Sequence, residues 1–295
     1  MATKWEEVPM SDQSRSNGFA GSLGNIFGAG PVQPGESYGA PGSGRSLSIS
    51  VVTAVLILGL WWVASNYEWV KPLFLPTPQS VFHRFITISQ EPFSGGTLWD
   101  HTSQSLMRVF SAFFLACITA IPVGLAMGIN RIARGIFDPP IEFYRPIPPL
   151  AYLPLTIIWL GIDESQKISL IFLAIFAPMA LAARAGVRSV QIEQIHAAYS
   201  MGASRMQVIW HIIFKAALPE ILTGMRIGIG FGWTTLVAAE MVAAQVGLGH
   251  MVLDAAEFLV TEVVFMGIIV IGAIAYIFDL MMRLVEKKLV PWKGR

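Results

Sequence analysis

Long uncharged stretches alternate with polar connections along the chain, and the stretches set its elements. Ser46 to Tyr67 holds 22 residues without a charge, enough for a helix to cross a hydrocarbon core of ~30 Å. Trp61, Trp62, Tyr67 and Trp69 cluster at its far end, as aromatic side chains do at a membrane–water boundary. Val109 to Asn130 is a second uncharged run of 22. Later runs are shorter: 17 residues from Pro146 to Ile162, 16 from Ile168 to Ala183, 13 on either side of Glu240, and 16 from Val263 to Phe278. Inside a bundle, charges at the ends of such runs face protein or water instead of lipid. The pattern therefore predicts six spans, near 46–67, 109–130, 139–161, 166–186, 218–244 and 263–284. Residues 68–103 read as a polar connection opening on Pro72, Pro76 and Pro78, with a short interfacial helix over Gln79 to Ser89.

Composition agrees. Apolar residues make up 54% of the 295 and charged residues 13%, about half the charged share of a soluble domain. A disordered chain, a disulfide scaffold and a nucleic-acid binder are excluded, and a polytopic membrane protein remains. The net charge of +1 names no partner, and Cys117 alone forms no disulfide within the chain. From Asn17 to Ser46, nine Gly, four Ser and three Pro fill 16 of 30 positions. Such a segment buries too little apolar area to offset its ordering entropy, so 1–46 is expected to be a flexible cytoplasmic tail. It does not read as a secretory signal, because its first apolar block starts late and no small-residue cleavage site follows.

The placement of basic residues gives the orientation. With both termini inside, the inner segments carry 14 Lys and Arg and the outer ones 3, while Arg108, Arg145 and Arg226 lie at or within spans. That bias is decisive under the positive-inside rule. The expected fold is an all-α membrane protein of about six transmembrane helices with cytoplasmic termini and a permease domain over 47–295.

The inner loop over 191–216 is the most informative segment. His196-Ala197-Ala198 lies on a short helix with a nearly smooth face, and Gly202 can take the left-handed conformation that ends it. Ser204 with Gln207 three residues on is a capping-box signature for a second helix. A helix–turn–helix parallel to the membrane surface results. Small residues at its bend allow another protein to approach the backbone, although an ordinary amphipathic connector has the same pattern.

This segment resembles the "EAA" loop of ABC-transporter permeases, E-A-A-x3-G followed by I-x-L-P. Ala197, Ala198, Gly202 and Ile212 match. His196 replaces the acidic position, and Phe214-Lys215 replaces the Leu-Pro pair, with Leu218-Pro219 a little later. "FLPTPQSV", "IPVGLAMGI", "DPPIEFYRPIPPLAYLPLTIIWLGI", "FLAIFAP", "LPEILTGMRIGIGFGWTTLVAAEM" and the terminal "PW" extend the similarity over 50–293, within the taurine, aliphatic sulfonate and nitrate branch. The resemblance implies a type I ABC importer permease with a transmembrane core over about 101–284. It implies a multi-pass subunit of the bacterial inner membrane that carries taurine or a similar small sulfonate, with another alkanesulfonate or nitrate as the alternative cargo. It implies a homodimer with two cytosolic ABC ATPase subunits and a periplasmic solute-binding protein, in contact with membrane lipid and not with nucleic acid. His196, Ala197, Ala198, Gly202, Ala203 and Ser204 would form the ATPase-coupling loop.

The residues agree on one negative point. No G-x4-G-K-[ST] phosphate loop is present, so ATP and Mg are expected on the partner ATPase. No cofactor, metal-ligand cluster or catalytic constellation is expected in this chain, and the scattered histidines read as structural. An ion-driven secondary transporter is the other class of reading. It needs coupled midplane carboxylates and often inverted repeats, and neither is visible.

Two patterns share the fifth span. Gly224, Gly228 and Gly232 recur every four residues, the spacing that lets membrane helices pack backbone to backbone, within the chain or across a dimer. Arg226, Trp233 and Glu240 recur every seven and so share one stripe. A carboxylate that deep faces a cavity or a partner, so Glu240 is either a pathway residue or half of a buried ion pair. Prolines at 146, 148, 149 and 154 break the third span, and a broken helix frees backbone to line a cavity. Arg145 sits at the inner entry of that span. Arg145, Trp233, Thr234, Thr235 and Glu240 are therefore the candidate translocation pathway, with Arg145 meeting the anionic end of a zwitterionic sulfonate and Glu240 its ammonium.

Overall fold

The protein is described here by a computed structural model over residues 47–292. The tail expected over 1–46 lies outside the described residues. The chain divides into two compact units after Tyr67. In the first, helix α1 (Leu47–Asn66) matches the first predicted span.

The second unit contains every other described element. Helix α2 (Pro78–Gln90) is the predicted interfacial helix, capped by Thr77, whose side chain accepts from the Ser80 N–H. Helix α3 (Leu98–Ile129) starts eleven residues before the predicted span. The cause is a capping box in which Thr97 and Asp100 satisfy each other's backbone N–H groups. Asn130 ends α3 and caps the next helix, α4 (Arg131–Tyr144), by accepting from the Ile132 N–H.

The predicted third span is two helices. The chain leaves α4 at Arg145, passes Pro146 to Pro148, and resumes as α5 (Pro149–Leu160). Pro146, Pro148 and Pro149 cause the break, since ring closure removes donors and blocks helical neighbours, whereas Pro154 is accommodated inside α5. The break lies inside the expected span.

Helix α6 (Glu164–Arg188) matches the fourth span. On the inner side come α7 (Ile192–Ser200), a turn at Gly202 with φ of 81°, and α8 (Arg205–Val208). Without interruption α8 runs through a π segment, Ile209–Ile213, into α9 (Phe214–Ala243). Residues Arg205–Ala243 are thus one continuous helical rod of 39 residues, with Pro219 inside it. A short α10 (Leu248–Glu257) follows on the outer side, and α11 (Thr261–Leu289) crosses back. Among the described residues five helices are long and apolar enough to span a membrane, against six expected, and α5 is a shorter apolar helix. Among the described residues no strand forms; Phe93 and Gly96 make an isolated bridge.

Helix α6 lies at the centre, packed between α3 and α9. Small residues permit the approach. A Cβ added at Gly124 would stand 2.3 Å from the Ala180 carbonyl oxygen, and one at Gly186 2.8 Å from that of Ala217. The Gly224, Gly228 and Gly232 stripe faces Ala182 and Ile175 of α6, with an added Cβ at Gly224 only 2.3 Å from Ala182 Cβ. Of the two packings the sequence left open, the stripe serves the one within the chain. Phe113, Ile171, Ile175, Met179 and Trp233 fill the core between these helices.

Candidate functional site

Two of the charged clusters among the described residues bear on a pathway. The first is at the outer ends of α6 and α9. Arg108 on α3 is buried and grips Glu164 with two bonds, Nε to Oε2 at 2.6 Å and Nη2 to Oε1 at 2.8 Å. Its Nη1 donates to Glu240 Oε1 at 2.8 Å and to the Val246 carbonyl at 2.7 Å. Lys167 adds a second cation, 3.1 Å from Glu164 Oε1. Glu240 has no exposed surface. It also accepts from Ser105 Oγ at 2.7 Å and from the Gly249 N–H at 2.8 Å. Two carboxylates balance two cations, and all four hold bonds, which is what makes a charge bearable inside a bundle. His101 closes the cluster. Its Nε2 donates to the Phe93 carbonyl at 2.8 Å, and its Nδ1 meets the Gly247 backbone, 3.0 Å from the nitrogen and 3.1 Å from the carbonyl oxygen.

Glu240 is therefore half of a buried ion pair, the second of its two expected roles, and has no exposed surface to offer a passing ammonium. The stripe it shares with Arg226 and Trp233 faces this chain's own helices. Arg226 pairs with Asp279 at 2.9 Å and Glu286 at 3.7 Å on α11, and Trp233 is buried in the core. Thr235 is buried as well. Thr234 is exposed on the opposite face of α9, its hydroxyl donating to the Phe231 carbonyl.

The second site is the break between α4 and α5. A cavity of about 360 Å³ opens there, lined by Tyr144, Arg145, Tyr152, Ala177, Pro178 and Phe231 among others. Leu173 and Ala177 lie nine and thirteen residues from the outer end of α6, or ~14 and ~20 Å along its axis. Phe231 lies twelve residues from the outer end of α9, ~18 Å along it. Both helices place the cavity near the middle of a ~30 Å hydrocarbon layer.

Arg145 is 54% exposed at this cavity, and its Nη1 is 3.6 Å from Glu142 Oε2. Glu142 in turn is 3.6 Å from Arg184 Nη2. Arg184 is hydrogen-bonded to Asp138, also on α4. Arg131, Arg134, Asp138, Glu142 and Arg145 recur at steps of three and four, which puts them on one face of α4.

The structure thus brings Arg145 to a cavity and separates it from Glu240, Trp233 and Thr235. It adds residues that sequence reasoning missed: Ser105, Glu164 and Lys167 at the outer cluster, and Glu142, Tyr144 and Tyr152 at the break. The available signal was the three-and-four spacing of charges through 131–145, which marks an amphipathic helix where an inner connection and the start of the third span were expected.

On the inner face, α7 and α8 fold against each other. Ala198 is buried with Val208 and Ile213, so its small size serves packing within the loop. His196, Ala197, Gly202 and Ser204 are exposed and Ala203 is half-buried. Met201 at 81% and Met206 at 62% exposure stand on either side of the bend. An added Cβ at Gly202 meets nothing within 4 Å. The Ser204–Gln207 capping box forms in both directions.

Residues 120–291 match the family described as binding-protein-dependent transport system inner membrane component. The chain is 53% identical over 251 residues to the taurine transport system permease protein TauC of Escherichia coli, covering 85% of this chain and 91% of that one. It is 34% identical to the putative aliphatic sulfonates transport permease protein SsuC of Escherichia coli, covering 80% and 88%. It is 30% identical to the nitrate import permease protein NrtB of Synechocystis sp., covering 82% and 88%. Among solved structures, a chain of the MetNI methionine ABC transporter in an inward-facing conformation superposes with a TM-score of 0.56 at 18% identity. The match covers 65% of this chain and 95% of that one, and shows a shared fold.

Proposed function

The chain belongs to the binding-protein-dependent transport system inner membrane component family, and on that premise we propose that it forms the translocation pathway for taurine or a similar small sulfonate. It is the permease subunit of an ABC importer in the inner membrane; the ATPase of such systems is a separate subunit. The single observation that carries the cargo is 53% identity to a taurine permease across most of both chains, against 34% and 30% to sulfonate and nitrate permeases.

Two copies of the chain would enclose the pathway, with two ATPases binding ATP and Mg below and a solute-binding protein docking above. The bend at 196–204 is the proposed socket for the ATPase. His196, Ala197, Gly202 and Ser204 offer an exposed, small-residue surface flanked by Met201 and Met206, and flexible thioethers adapt to a partner groove. Ala198 and Ala203 hold the bend in shape from beneath. Closure of the ATPase dimer would push on this bend. Because α8 continues into α9 as one rod, the push arrives at the cavity and at the outer ion-pair cluster without passing through a loop.

Expression in a strain lacking its own taurine permease tests the cargo, with the cognate ATPase and binding protein supplied. Growth on taurine as sole sulfur source is expected. Growth on other alkanesulfonates with none on taurine would replace the cargo and leave the mechanism. A second test addresses the socket. Ala197→Arg adds a large charge on the exposed face without touching the loop's internal packing, and it is expected to abolish co-purification of the ATPase.

A further inference from the structure

Arg145 differs in its bonding from the three arginines that lie between packed helices. Arg108, Arg184 and Arg226 each hydrogen-bond a carboxylate. Arg145 has Glu142 at 3.6 Å, an ion-pair distance too long for a hydrogen bond. Its guanidinium carries five N–H donors in a fixed fork, suited to two oxygens of one anion. A charge at this depth marks a site or a partner. Glu142 is in the complementary position: both its cationic neighbours, Arg145 and Arg184, stand at 3.6 Å. Arg145 thus lines a cavity of about 360 Å³ without a hydrogen-bonded carboxylate, and Glu142, one helical turn away and just outside the lining, stands within ion-pair distance of it. Two tyrosines, a phenylalanine and prolines line that cavity. Its volume falls within the range of small-ligand pockets.

Resting on the importer reading above, we propose that this cavity is a transient two-point binding site for an aminosulfonate, Arg145 holding the sulfonate and Glu142 with the faces of Tyr144 and Tyr152 holding the ammonium. The chemistry fits a zwitterion. A sulfonate takes the guanidinium fork, ring faces attract an ammonium, and apolar walls suit the short methylene link. Nitrate and simple alkanesulfonates lack the cationic end, so they gain nothing from Glu142 and the rings. Discrimination among small sulfonates would then be exercised inside the permease as well as by the binding protein.

The test is equilibrium binding of radiolabelled taurine to the permease–ATPase complex in nanodiscs, without binding protein, competed by ethanesulfonate. Saturable binding is expected, with taurine preferred over ethanesulfonate. Arg145→Gln is expected to weaken taurine binding about 10-fold or more, the scale of a lost charge-assisted bond, with Arg145→Lys in between. Glu142→Gln is expected to shrink the taurine preference about 10-fold by losing the ammonium's partner. Co-purification with the ATPase is the folding control for each variant. Wild-type binding in Arg145→Gln overturns the site. An unchanged preference in Glu142→Gln overturns the ammonium arm. No saturable taurine binding to a wild-type complex that still imports taurine overturns the site and leaves the cargo standing; a complex that imports only another solute overturns the cargo itself.

Discussion

The behaviour of single charges inside this bundle turns on how completely each is bonded. Arg108 makes four bonds to two carboxylates and a carbonyl, and its removal leaves Glu240 buried with no cation. Arg108→Met is therefore expected to cost ~3–5 kcal/mol, the loss typical when one partner of a buried pair is deleted. The readout is a lower midpoint of thermal aggregation in detergent. Gly247→Ala attacks the same cluster from the backbone, because an added Cβ would stand 2.5 Å from Glu240 Cδ and 2.7 Å from Arg108 Nη1. The sequence displayed each of these charges but not their pairing. Arg108 and Glu240 are 132 positions apart, and no periodicity links residues on different helices. The break beside Arg145 was legible for the opposite reason: its cause is local, since Pro146, Pro148 and Pro149 announce a broken helix.

At the scale of elements, α6 and its neighbours test how tightly membrane helices can approach. Gly224→Val has no space, since its Cβ already meets Ala182 Cβ at 2.3 Å. It is expected to destabilise by ~1–3 kcal/mol or more, as overpacking does. Gly230 lies on the exposed face of the same helix with nothing within 4 Å of an added Cβ. Gly230→Ala is expected to be neutral or to stabilise α9 by ~0.5–1 kcal/mol. Comparing the two variants' melting in detergent separates close packing from general glycine effects. The helices themselves were mostly readable, because uncharged length and caps are local properties. Their ends were less so where hydropathy was the guide. Helix α3 begins at a capping box, Thr97 and Asp100, outside its uncharged run. Helix α4 was hidden because its charged face breaks the hydropathy signal while its backbone stays helical.

At the scale of the whole molecule, the exposed face of α9 carries Thr223, Ile227, Gly230 and Thr234, and neighbouring Phe231 lines the midplane cavity. In the proposed homodimer this face borders the shared pathway. With Cys117 replaced by Ala, Thr234→Cys is expected to cross-link to its counterpart under mild oxidation, with a yield that changes on trapping the ATPase with a non-hydrolysable nucleotide. Cross-linking unaffected by nucleotide would place this face away from the moving part. The stroke itself has a simple geometry. The unbroken rod Arg205–Ala243 has 39 residues, ~58 Å at 1.5 Å per residue, so a swing of about 5° shifts one end by ~5 Å relative to the other. That is the width of a small organic ion. In the proposed importer, a stretch that pivots as one body would lower one end only by raising the other, like a seesaw plank, so a doorway at each face need never stand ajar together and an accumulated solute would be held without leak.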